Sequence, residues 1–112
     1  MRCLNLLSIQ FKSNLDYLKN YLNIARKIKE IVKNFDTNAK VYVFGSVVRG
    51  NYTANSDIDI IIITSKIEQK YDMMVAIYKE LIYAPIELHI ITKELYENWY
   101  RRFIKPEEII EI

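Results

Sequence analysis

Two aspartates, Asp57 and Asp59, stand at the head of an apolar run, and ten residues separate them from a Gly-Ser pair, Gly45-Ser46. Side chains at i and i+2 of a strand share a face, so the two carboxylates project together. Carboxylates this close repel one another unless a cation sits between them. Mg²⁺ takes ligands of this kind, one or two protein carboxylates, with substrate phosphates and water completing its shell. A two-metal site built this way activates an attacking oxygen and stabilises a leaving pyrophosphate oxygen. The Gly45-Ser46 turn supplies the complementary half. Glycine lets a backbone approach a phosphate closely, and the start of a following helix offers free N–H groups and a positive dipole end. Ser46 adds a hydroxyl donor. Either pair alone is common in solvated loops. Together, at this spacing, they point to metal-dependent phosphoryl transfer.

The elements around these residues follow from hydrophobic periodicity. Leu4, Leu7, Phe11, Leu15, Leu18, Leu22, Ala25, Ile28 and Val32 recur at steps of three and four, a helical pattern. Ser13 with Asp16 resembles a capping box, which starts the main helix near Asn14. Asp36 to Lys40 is polar enough to end it. Lys40 to Phe44 is a short strand, Ser46 to Gly50 a short helix, and Asn51 to Ser56 a loop of turn formers. Ile58 to Thr64 is a β-branched run, a central strand buried on both faces. Ser65 to Tyr83 is a second amphipathic helix, broken by Pro85. Ile86 to Thr92 alternates as a third strand, and Lys93 to Phe103 is helical in pattern. Pro106 opens a short tail that adds a last helical turn.

The order α, β, α, β, α, β, α makes a small α/β (α+β) layer of about three strands flanked by helices, with a long N-terminal helical region. The first two strands are joined by too short a connection for an ordinary crossover, so they need not be parallel. We divide residues 1–112, one domain, into an N-terminal helical segment (1–36), a catalytic core (40–92) and a C-terminal helix (93–112).

Composition bounds the function. At 51% hydrophobic and 27% charged residues the chain reads as an ordinary globular protein. Its net charge of +2 provides no broad basic field, so nucleic acid is not indicated as a partner. Cys3 is the one cysteine, which rules out an intrachain disulfide and fits a reducing, cytoplasmic compartment. Asn5, Ser8 and Gln10 interrupt the apolar start, so a signal peptide is not expected. The run Ile60 to Ile63 is far too short to span a bilayer. Asn51-Tyr52-Thr53 matches a glycosylation sequon, by chance in a chain that is not secreted.

With Gly45, Ser46, Asp57 and Asp59 in place, the chain resembles the nucleotidyltransferase superfamily related to DNA polymerase β, specifically the small prokaryotic minimal nucleotidyltransferases. The family pattern is Gly-Ser, ten residues, Asp-x-Asp. Ser56-Asp57-Ile58-Asp59 matches its Ser-Asp-Ile-Asp, and Val48-Arg49-Gly50 stands where Ala-Arg-Gly is frequent. The resemblance runs from about Val41 to about Thr92. It implies that Ser46 and the Gly45 backbone touch nucleotide phosphates and that Asp57 and Asp59 bind Mg²⁺. It also implies a third carboxylate on the next strand. Glu87 is the acidic residue there, a Glu where Asp is commoner.

Arg49 has two readings, pairing with a nucleotide phosphate or bracing the loop against a carboxylate or carbonyl, and bracing is slightly favoured. His89 shares the face of Glu87 on a regular strand, and a lone histidine is more often packed than ligating. Trp99, Tyr96, Tyr100 and Phe103 read as a helix face that packs, against a partner in one reading.

The resemblance also implies an activity and a partner. Family members of this type transfer AMP from ATP, and they are frequently paired with a small helical HEPN protein in toxin–antitoxin systems. The domain is too small to hold an acceptor, so a second chain or a shallow surface must do so. Three functions compete: a nucleotidyltransferase acting on a hydroxyl acceptor of a partner, an antitoxin or regulatory module acting by contact, and a nucleotide sensor without turnover. Apolar helical surface at both ends suggests self-association or a partner.

Overall fold

The structure, a computed structural model, describes residues 13–112. The part of the helical reading that falls on Leu4, Leu7 and Phe11 lies outside the described residues. Ser13 caps helix α1 (Asn14–Lys19), as the capping-box pattern predicts. Its hydroxyl accepts from the Asp16 amide at 3.3 Å and donates to the Asp16 carboxylate at 3.0 Å. The helical pattern does not run on unbroken. Asn20 (φ −101, ψ 25) interrupts it, and its side-chain amide donates to the Asp16 carbonyl at 2.8 Å. Helix α2 (Tyr21–Lys33) follows, burying Ile24, Ala25, Ile28, Ile31 and Val32.

Strands β1 (Lys40–Phe44) and β2 (Ile58–Ile63) enclose a four-residue helix, α3 (Ser46–Arg49). A 3₁₀ turn (Ile67–Gln69) and helix α4 (Lys70–Glu80) lead to β3 (Ile86–Ile91). The sheet has four strands in the order β3-β2-β1-β4, where β4 is Ile109–Glu111. β1 is antiparallel to both β2 and β4, while β2 and β3 are parallel. The short β1–β2 connection forces the antiparallel pair, whereas α4 provides the crossover that a parallel pair needs.

Register sorts the two faces. Val41, Val43, Ile58, Ile60, Ile62, Ile86 and Ile90 point into the core, packed with α2 and with Met73 and Ile77 of α4. Phe44, Asp59 and Glu87 form one row across the opposite face, and Tyr42, Ile61 and His89 form the next. Ile60 and Ile61 are both fully buried, so β2 is covered on both sides.

The C-terminal segment corrects the single helix expected over 93–112. It begins as α5 (Lys93–Leu95), widens into a π-helical turn (Tyr96–Tyr100) and tightens into α6 (Arg101–Phe103). A 3₁₀ turn (Pro106–Glu108) then delivers β4 to the edge of β1. Ile109 and Ile110 are thus strand residues: their backbone completes the ladder beside Phe44 and Val43. The Ile112 amide extends that ladder, donating to the Val41 carbonyl at 2.9 Å.

Candidate active site

Gly45 follows β1 with φ +89 and ψ −151, a conformation essentially confined to glycine. A β-carbon there would sit 2.6 Å from Oδ2 of Asp59. The turn is therefore pressed against the carboxylate and leaves no room for a side chain. The Gly45 amide donates to the Glu108 carbonyl at 3.0 Å, which ties the turn to the segment entering β4. Gly50 ends α3 in the left-handed region at φ +81. From α3, Arg49 reaches back to Glu108 in an ion pair of 3.4 Å and donates to the Asn51 side-chain carbonyl at 3.4 Å.

Asp59 is half-buried beside its β3 neighbour Glu87 in the parallel pair. Burial pushes the Asp59 carboxyl up to about 7. A hydrogen bond to Glu87 and the charges of Glu87 and Asp57 act in the same direction, and the Arg49 guanidinium opposes them. Carboxyl and imidazole donor atoms of Asp59, Glu87 and His89 all lie within 4.8 Å of one another. Among the described residues no second group of this kind is found. His89 Nε2 lies 3.8 Å from Glu87 Oε1, and Nδ1 lies 3.2 Å from the Tyr100 hydroxyl. Phe44 packs on the imidazole with ring centroids 5.6 Å apart.

These residues line an open cleft of about 540 Å³. Gly45, Ser46 and Arg49 line it together with Asp59, Glu87 and His89 of the sheet and Trp99, Tyr100 and Phe103 of the C-terminal segment. Its volume is in the range of small-molecule sites. A second cavity, about 490 Å³, lies at the opposite end of the sheet around Asp36, Lys40, Tyr42 and Thr64. Its buried carboxylate, Asp36, accepts a hydrogen bond from Thr64.

Of the residues expected from sequence, Gly45, Ser46, Arg49, Asp59 and Glu87 converge on the cleft. Asp57 stands exposed just before β2, close enough to raise the Asp59 carboxyl by its charge but outside the 4.8 Å group. The adjoining Ile58 amide donates to the Pro85 carbonyl at 2.7 Å, fixing the entry to β2. Arg49 pairs with Glu108 and Asn51 in this structure. His89 is more engaged than a lone histidine suggests, and its two-residue offset from Glu87 is the signal that places it there.

The donor set suits a hard divalent cation. Half-buried Asp59 and exposed Glu87 crowd two carboxyl groups together, and a cation relieves that repulsion. Among the described residues no helix is long and apolar enough to cross a membrane.

Comparison with known proteins agrees with this geometry. No curated protein is similar enough in sequence to count as a relative. The similar solved structures include two that are each named as that of a "putative nucleotidyltransferase". One is 33% identical with a TM-score of 0.64, over 78% of this chain and 95% of the other. The second, from Sulfolobus solfataricus, shares the fold at 24% identity and a TM-score of 0.57, over 89% of this chain and 86% of the other. The profile of the nucleotidyltransferase domain family matches residues 25–112, a span that holds every cleft residue, and the chain belongs to that family.

Proposed function

We propose that the chain transfers a nucleoside monophosphate, AMP from ATP in the leading reading, to a hydroxyl acceptor. The observation that carries this is the Asp59–Glu87 pair across β2 and β3, with Gly45 held against the Asp59 carboxylate. Asp59 and Glu87 would hold Mg²⁺, with Asp57 joining them from the head of the strand. The bound cation would neutralise the triphosphate and acidify the acceptor hydroxyl. Ser46 Oγ and the backbone of the Gly45 turn would orient the phosphates. The acceptor oxygen forms a bond to the α-phosphorus as the α–β bridging bond breaks. Pyrophosphate leaves, and the acceptor proton passes to the Glu87 carboxylate, the more exposed of the pair. The residues act by positioning and by electrostatics.

The acceptor would be carried by a second protein, a small HEPN-type helical chain by family resemblance. A second reading, that the chain restrains such a partner by contact alone, is favoured by one surface. Tyr71 and Val75 of α4, with Ile82 beyond its end, are 75%, 67% and 68% exposed, on a face separate from the cleft.

The test incubates the protein with radiolabelled ATP, Mg²⁺ and the protein encoded beside it. Label on the neighbour, lost in Asp57→Asn, Asp59→Asn and Glu87→Gln, is the expected result. Tight binding without label, unchanged in those variants and weakened by Val75→Glu, would overturn transfer in favour of contact.

A further inference from the structure

The C-terminal segment lines the cleft with side chains that phosphate chemistry does not require. Trp99 and Phe103 stand 58% and 67% exposed, with ring centroids 5.3 Å apart and planes tilted by 57°. Exposing large aromatics to water is unfavourable, and these two line the same cleft as Asp59 and Glu87.

The two i, i+4 pairs of this segment are used differently. Tyr96 and Tyr100 are turned onto the sheet, Tyr96 stacked on Tyr42 at 5.9 Å and Tyr100 edge-on to His89 at 5.5 Å. They fasten the segment to the sheet. Trp99 and Phe103, four apart like the tyrosines, are left at the cleft mouth. Widened turns like the π-helical one here are frequent at functional sites.

We propose that Trp99 and Phe103 form the stacking platform for the nucleobase of the triphosphate, and so anchor the nucleoside end of the substrate. This rests on the proposed nucleotidyl transfer. A ligand held by its phosphates at Gly45 and Ser46 must place its nucleoside elsewhere in the same cleft, and Trp99 and Phe103 are the exposed aromatics that line it with that turn. Stacking on an indole or phenyl face tolerates any base, so the platform contributes affinity rather than choice among bases.

Trp99 is the sole tryptophan of the chain, which makes it a direct reporter. Indole emission, excited on the red edge where adenine does not absorb, is followed during titration with ATP and separately with inorganic tripolyphosphate, both with Mg²⁺. Thermal shift is read in parallel. Both ligands should stabilise the protein, but ATP alone should quench Trp99. Phe103→Ala and Trp99→Leu should weaken ATP binding about five- to tenfold, leave tripolyphosphate binding unchanged, and be rescued at position 99 by Trp99→Phe. Both side chains are largely exposed, so these variants retain the fold. If tripolyphosphate binds and ATP gains nothing over it, the platform is overturned and the phosphate site stands. If neither ligand binds, nucleotidyl transfer itself falls. If ATP binds normally to the variants while the neighbouring protein no longer does, the aromatic pair is a protein contact and the platform is again overturned.

Discussion

Gly45 and Asp59 touch so closely that a β-carbon on the glycine would lie 2.6 Å from Asp59 Oδ2. The turn and the carboxylate are thus one unit, although thirteen residues lie between them. Gly45→Ala would suffer twice. Its φ of +89 is strained for any L-residue, a cost of about 1–3 kcal/mol. The new methyl would also push the carboxylate aside, because the carboxylate can rotate more readily than the backbone can shift. A displacement near 1 Å costs roughly 10²-fold in rate. Transfer activity should therefore fall much further than stability. Equal stability and activity to wild type would show that the turn does not constrain Asp59.

Asp59 makes stability depend on pH in a direction opposite to most carboxylates. Its folded pKa is about 7, above the ordinary 3.8, so between those values the folded chain binds a proton that the unfolded chain has released. Stability from this group is therefore greatest at low pH and falls as pH rises through about 7. In chelator, melting temperatures followed from about pH 5 to about pH 8 should decline more in wild type than in Asp59→Asn. A divalent cation should lift the alkaline side of the wild-type curve alone, since metal binding displaces the proton. Parallel curves for the two proteins would contradict the burial of Asp59 beside Glu87.

The site was partly legible in the sequence, and the limits have physical causes. β1 alternates valine with aromatic residues, β2 is isoleucine-rich, and the Gly-Ser and Asp-x-Asp pairs sit at their ends, so local pattern marks both strands and these residues. β4 was missed because Ile109-Ile110-Glu111 is too short to carry a period. It becomes a strand only by pairing with β1. The π-helical turn was equally hidden, since Tyr96 to Tyr100 has ordinary helical spacing. Asp57 and Asp59 share a strand pattern, but only Asp59 lies inside the ladder, so alternation alone did not separate the buried carboxylate from the exposed one.

Arg49 and Glu108 form an ion pair of 3.4 Å with side chains 42% and 22% exposed. Pairs this exposed contribute about 0–1 kcal/mol, so neither Arg49→Ala nor Glu108→Gln should lower the melting temperature much. Nucleotide binding should separate them. If Arg49 swings from Glu108 to a phosphate, Arg49→Ala should weaken triphosphate binding about 10- to 100-fold, the loss of a charged hydrogen bond. Glu108→Gln should leave it unchanged or improve it. Equal, small effects from both variants would leave Arg49 as a brace only.

At the far end of the sheet, Thr64 Oγ1 donates to Asp36 Oδ2 at 2.6 Å, with both residues almost fully buried. The Asn38 amide donates to the other carboxylate oxygen at 3.0 Å, and the Lys66 amide donates to Thr64 Oγ1 at 3.0 Å. The Thr64 hydroxyl is the main cause holding the Asp36 carboxyl below its ordinary value. Its stabilisation is therefore present above that ordinary value and lost as pH falls through the lowered one. Thr64→Val keeps the shape and removes the hydroxyl. It should cost about 1.5–3 kcal/mol at neutral pH, with a smaller loss in acid where Asp36 is protonated. Thr64→Ser should restore most of it. Transfer activity should survive in both variants at temperatures where they stay folded, because this bond lies at the opposite end of the sheet from the Asp59 cleft. A Thr64→Val protein as stable as wild type at neutral pH would show that the Asp36 carboxylate does not depend on this donor.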